Sequence, residues 1–214
     1  MFPSGQNMEH TLYYSPGACS LAVHIALEWV GTPYLVKRVQ PQSPELVALS
    51  ASGAVPVLRR NDGWVLNQAG AILRYIERRY PDAGLGSDGT PEGEAEFDRW
   101  SSFFTGDLHP AFFPLFSPER YTTSADPVQL ECVRDAARDT VRRRLELLED
   151  HLSRSEFMLA SRQTLLDAYA FPMLRWAASQ LPERLYRFPY VDALRRNVAS
   201  NPLVQKVLAE EEIA

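Results

Sequence analysis

Cys19 stands in the run Ser15-Pro16-Gly17-Ala18-Cys19-Ser20, just ahead of Leu21, Ile25 and Trp29, which recur at helical spacing until Gly31 supplies a stop. A thiol in the first turn of a helix meets unpaired N–H groups and the positive end of the helix dipole, and both favour the thiolate. The position therefore predicts a lowered pKa and faster alkylation than at Cys132. The alternative is a small buried hydrophobe, a role that free cysteine often takes.

Other residues offer contacts to a peptide-like ligand. Val55-Pro56 follows Ser52-Gly53-Ala54 and opens a strand, where proline can form a cis bond and leave neighbouring backbone groups unpaired; an ordinary edge-strand proline fits as well. Gln68 and Ala69 begin a helix whose first N–H groups could receive a carboxylate, with the glutamine amide in reach of an amino group. His109 lies between Asp107 and Phe116, where Pro110 and Pro114 should bend or interrupt a helix beside several aromatic rings, making a pocket wall; a hydrogen-bonded structural histidine is the alternative. Thr164-Leu165-Leu166-Asp167 has capping-box spacing, with Asp in place of Glu, and is structural.

The elements that must position these groups fall into two parts. His10 to Tyr14 reads as a strand, the Cys19 segment as a helix, and Tyr34 to Val39 as a second strand suited to parallel pairing. After the Pro- and Ser-containing stretch Gln40 to Gly53, Val55 to Leu58 and Trp64 to Leu66 flank the turn Asn61-Asp62-Gly63 as a hairpin. Ala71, Ile72, Tyr75, Ile76 and Arg79 then mark a helix closed by Pro81. The order β-α-β-β-β-α over 10–80 is thioredoxin-like. Two prolines and four glycines make 81–93 a linker. Residues 94–214 read as an all-α domain: Glu94 to Phe116, Pro127 to about Leu152, Leu165 to Gln180, and two short helices ending near Ala209. Arg142, Arg143 and Arg144 alternate with Glu146, Glu149 and Asp150 as a solvated charged face.

The whole chain narrows the function classes. Its 214 residues, 45% hydrophobic, can bury a sizeable core, and a net charge of −5 gives no general attraction to nucleic acid or anionic lipid. Cys19 and Cys132 form neither a disulfide framework nor a metal-ligand pattern, which fits a reducing cytoplasm. No stretch approaches the roughly 18 apolar residues of a membrane span, and Met1 to Glu9 reads as a short extension.

Together, Tyr13-Tyr14-Ser15-Pro16-Gly17-Ala18-Cys19-Ser20, Val55-Pro56, Ala71-Ile72-Leu73-Arg74-Tyr75-Ile76, Leu108-His109 and Asp167-Ala168-Tyr169 resemble the bacterial beta-class glutathione transferases from about Thr11 onward. The resemblance implies that Cys19 faces the glutathione sulfur, with Tyr14 nearby, and that Val55 pairs with the tripeptide backbone beside a cis Pro56. It implies that Gln68 and Ala69 receive the γ-glutamyl end and that His109 approaches the sulfur from the helical domain. It also implies a homodimer, with glutathione as co-substrate and no tightly bound cofactor or metal.

Glutathione would then bind as its thiolate and attack a small apolar electrophile lodged among Phe112, Phe113, Phe116 and Trp176. Several residues depart from the family pattern. Gln68-Ala69 replaces the frequent Glu followed by Ser or Gly, and Gln40 to Ser43 and Ser52 lack the usual lysines for the glycyl carboxylate. Pro110 follows the histidine where lysine is usual, and Ser102 replaces a common asparagine. Two rivals follow: thiol-disulfide or peroxide chemistry with Cys19 as nucleophile, and a non-catalytic binding protein on the same fold.

Overall fold

Side-chain alternation along the first strand sets the layers of the N-terminal domain. In the computed structural model, which describes residues 8–159 and 162–213, β1 (His10–Tyr14) directs Leu12 and Tyr14 to one face and Tyr13 to the other. Residues 1–7 of the expected N-terminal extension lie outside the described residues. β1 pairs in parallel with β2 (Tyr34–Arg38) and antiparallel with β3 (Val57–Arg60), which pairs antiparallel with β4 (Val65–Asn67), giving the order β2-β1-β3-β4. Leu12 and Leu58 pack with α1 (Ser20–Val30) and α3 (Ala69–Arg79), while Tyr13 and Val57 pack with Leu46 of α2 (Pro44–Leu49) on the opposite face.

That α2 is an addition to the order expected from sequence, which becomes β-α-β-α-β-β-α. The helix has local signals: the Ser43 hydroxyl accepts from the Leu46 N–H at 3.4 Å, and Pro44 opens the first turn. It buries only Leu46, so no helical periodicity shows in the sequence. Gly31 closes α1 with φ 70°, as its position predicts.

In the helical domain the interruption expected at Pro110 and Pro114 is present. The segment from Glu94 to Phe116 is α4 (Pro91–Phe103), a π-helical turn at Phe104–Leu108, then α5 (His109–Ala111) and α6 (Phe113–Phe116). Pro110 and Pro114 cannot donate to the helical ladder, and the wide turn accommodates the break. α7 (Pro127–Leu152) and α8 (Leu165–Gln180) run over the residues expected, followed by α9 (Pro189–Ser200) and α10 (Pro202–Glu210). α8 is the centre of the domain and is buried continuously from Leu165 to Leu174. Asp167 closes its capping box by accepting from the Thr164 N–H at 2.6 Å, and it also accepts from the Met158 N–H at 2.8 Å.

The α7 face expected to be simply solvated is tied into the fold. Arg142 donates to Glu183 at 2.6 and 2.9 Å, Arg144 pairs with Asp107 at 3.0 Å, and Glu149 accepts the Tyr190 and Val191 N–H groups at the start of α9. Within 81–93 the chain makes a 3-10 turn at Pro81–Ala83, and α4 starts at Pro91 under a Thr90 cap. No helix among the described residues is long and apolar enough to cross a membrane.

Candidate functional site

A cavity of about 810 Å³ opens between the sheet domain and the helices. Cys19 lies at its base, on the N-cap of α1, only 8% exposed. Its Sγ donates to the Val55 carbonyl at 3.4 Å. Burial pushes the thiol up to about 12, outweighing the hydrogen bonds from the Cys19 and Ser20 backbone N–H groups that favour the thiolate. The sequence-based expectation of a depressed pKa is therefore reversed: the helix N-terminus acts in the expected direction, and desolvation is the larger effect. Cys132 is exposed and unpaired.

Val55, Pro56, Gln68 and Ala69 line the same cavity, and the Val55-Pro56 peptide bond is cis. Gln68, the N-cap of α3, has φ 71°, a left-handed conformation costly for a residue with a Cβ and one that recurs at functional sites. Its neighbour Asn67 is anchored to the Ser50 hydroxyl at 2.9 Å. Gln42 folds over the proline loop, donating to the Ser52 carbonyl at 2.8 Å, so its amide is already engaged.

From the helical side, α5 delivers His109 and α6 delivers Phe113 and Phe116, with Trp176 of α8 behind them. The His109 ring sits 5.0 Å from Phe113 and 5.2 Å from Trp176. Burial lowers its pKa to about 4, so the imidazole is neutral at pH 7 and can donate one N–H.

Two expected site residues do not reach the cavity. Phe112 is fully buried, stacked on Phe116 at 6.1 Å and edge-on to Trp176 at 5.4 Å, so it supports the aromatic wall from behind. Tyr14 is buried in the sheet layer, 5.5 Å from the His24 ring, because its position in β1 turns it toward α1. Thr105, Tyr169 and Arg120 line the cavity without having been singled out as site residues. Tyr169 bonds Thr105 at 3.0 Å where α3 meets the helical domain. The approach requires Gly70, since a Cβ there would fall 2.8 Å from the Thr105 hydroxyl oxygen. Arg120 is the only formally charged side chain among the described residues of the lining. It follows a proline-broken segment with no pattern pointing inward. No metal-ligand cluster of three or more His, Cys, Asp or Glu occurs among the described residues.

Residues 17–79 match the family description "Glutathione S-transferase, N-terminal domain", and residues 107–202 match "Glutathione S-transferase, C-terminal domain". A glutathione S-transferase of Xanthomonas campestris is 40% identical over 169 residues, 78% of this chain and 81% of that protein. A solved glutathione S-transferase from Xylella fastidiosa superposes with a TM-score of 0.88 at 34% identity, covering 96% of this chain and all of that one. A bacterial beta-class enzyme from Sphingomonas chungbukensis gives 0.83 at 31% identity, over 95% of this chain and 100% of its own.

Proposed function

The chain belongs to the glutathione S-transferase family, and from that premise we propose that its cavity holds glutathione along Val55-Pro56 and the start of α3. The thiolate would face a small apolar electrophile seated against Phe113, Phe116 and Trp176. The observation that carries this assignment is the convergence, on one cavity, of Cys19 and Val55 from the sheet domain with neutral His109 from the helical domain.

The Val55 carbonyl accepts from the Cys19 thiol. A peptide N–H is a stronger donor than S–H, so the backbone of a bound tripeptide displaces it. The released Cys19 S–H and the His109 N–H then donate to the glutathione sulfur and stabilise its thiolate, the thiol proton leaving to solvent. The sulfur lone pair forms the new C–S bond while the leaving group departs with its electrons. Cys19 acts as a donor in this scheme, not as the nucleophile, in keeping with a thiol held well above neutral pH.

Conjugation of glutathione to chlorodinitrobenzene tests the assignment, with Cys19→Ala and His109→Ala as variants. Substantial turnover in Cys19→Ala and a marked loss in His109→Ala are expected. A Cys19→Ala protein without conjugation, whose parent forms a mixed disulfide readily with oxidised glutathione, would transfer the chemistry to Cys19 itself. A parent that neither conjugates nor binds glutathione would leave a non-catalytic binding protein. The homodimer implied by the family resemblance and the cytoplasmic location read from the two unpaired cysteines belong to the same proposal; sedimentation as two chains checks the first.

A further inference from the structure

Gly17, two residues before Cys19, has both of its peptide groups tied to the far end of the chain. Its N–H donates to Glu211 Oε2 at 2.9 Å, and its carbonyl accepts from Trp176 Nε1 at 2.9 Å. Glu211 is 1% exposed, and its other oxygen lies 3.0 Å from Nδ1 of His24, itself buried on α1. A buried carboxylate is costly unless its oxygens are engaged, and here they hold the loop and the helix that flank Cys19. Ile213 packs over Gly17, where a Cβ would sit 3.8 Å from its side chain, and Arg175 fixes the Ile213 carbonyl at 2.6 Å.

We propose that Glu211 and Trp176 are positioning residues that clamp the Ser15–Cys19 loop, so that the C-terminal segment after α10 sets the place of the Cys19 sulfur and the shape of the glutathione side of the cavity. The consequence for catalysis rests on the glutathione assignment made above; the clamp itself does not. Glu210 separates the two effects. It also approaches His24, at 3.2 Å, but it is partly exposed and has no contact with Gly17.

The test compares Glu211→Gln, Trp176→Phe and Glu210→Gln with the parent. Its first readouts are iodoacetamide labelling of Cys19 and hydrogen exchange of the 15–19 segment in the unliganded protein. Exchanging the charged acceptor for a neutral amide weakens its bond to the Gly17 N–H and should speed both several-fold, up to about tenfold, in Glu211→Gln, with the same direction in Trp176→Phe and no change in Glu210→Gln. In Glu211→Gln the KM for glutathione should rise by about tenfold while that for the electrophile holds. Unchanged labelling and exchange in both clamp variants would overturn the proposal, as would an equal effect of Glu210→Gln. If Glu211→Gln does not fold, Trp176→Phe decides by hydrogen exchange of the 15–19 segment, because Trp176 also lines the cavity that gives access to Cys19. A parent without glutathione turnover would sink the functional assignment and leave the labelling arm to judge the clamp.

Discussion

Cys19 should be among the slowest thiols to alkylate in the unliganded protein. Its pKa is pushed up to about 12 by burial. At pH 7.5 a thiol of ordinary pKa near 8.5 is about one-tenth ionised, whereas one titrating near 12 is ionised to roughly one part in 30,000. Since the thiolate is the reacting species, Cys19 should label with iodoacetamide about a thousandfold or more slowly than free glutathione does. Exposed Cys132 should label first. The Cys19 rate should climb by about tenfold per pH unit and show no plateau below pH 10. Site-resolved mass spectrometry across pH measures both cysteines in one sample. A Cys19 rate within tenfold of free glutathione at pH 7.5, or a plateau below pH 9, would refute the balance drawn between desolvation and the helix N-terminus.

Other perturbations read other parts of the structure. With a pKa near 4, His109 is neutral across the working range. His109→Ala should lower kcat/KM by about tenfold or more without removing a titration between pH 5 and 8, as pH-rate profiles of both proteins will show. Asp167 titrates near 6 when folded, above its ordinary 3.8. The folded state therefore binds the extra proton between those values, and stability falls as pH rises from about 4 to 6, then levels, a change of about 3 kcal/mol. Asp167→Ala should flatten that slope and, by orphaning the buried Met158 and Thr164 N–H groups, lower stability near pH 7 by about 3 kcal/mol, read from urea midpoints. Arg120→Ala should raise the KM for a chlorodinitrobenzoate several-fold while sparing the uncharged chlorodinitrobenzene, as paired steady-state assays would show.

Local patterns were legible wherever a helix or strand buries a regular stripe. α7 and α8 follow from their periodicity and proline or capping-box starts, and β1 from the Ser15-Pro16-Gly17 turn that ends it. α2 escaped because one buried residue makes no stripe, while the break between α4 and α6 was legible from Pro110 and Pro114, though not the π-helical turn that precedes it. In the site, Cys19, Val55, Gln68 and His109 were visible as motifs, and the structure gathers them. Their surroundings were not visible. The thiol's pKa depends on packing around Cys19, the clamp on Gly17 comes from 194 residues away, and Arg120 arrives through an irregular connection. Such long-range desolvation and charge effects leave no local trace in sequence.

The most direct test of the account is a glutathione titration of ¹⁵N-labelled protein followed by amide NMR. Saturable shifts at submillimolar to millimolar ligand are predicted for Val55, Gln68, Ala69 and Cys19, with the Asn197 to Ser200 end of α9, outside the cavity lining, unmoved. A titration that leaves the cavity amides in place up to tens of millimolar, or that moves only residues remote from it, would contradict the assignment of this cavity to glutathione.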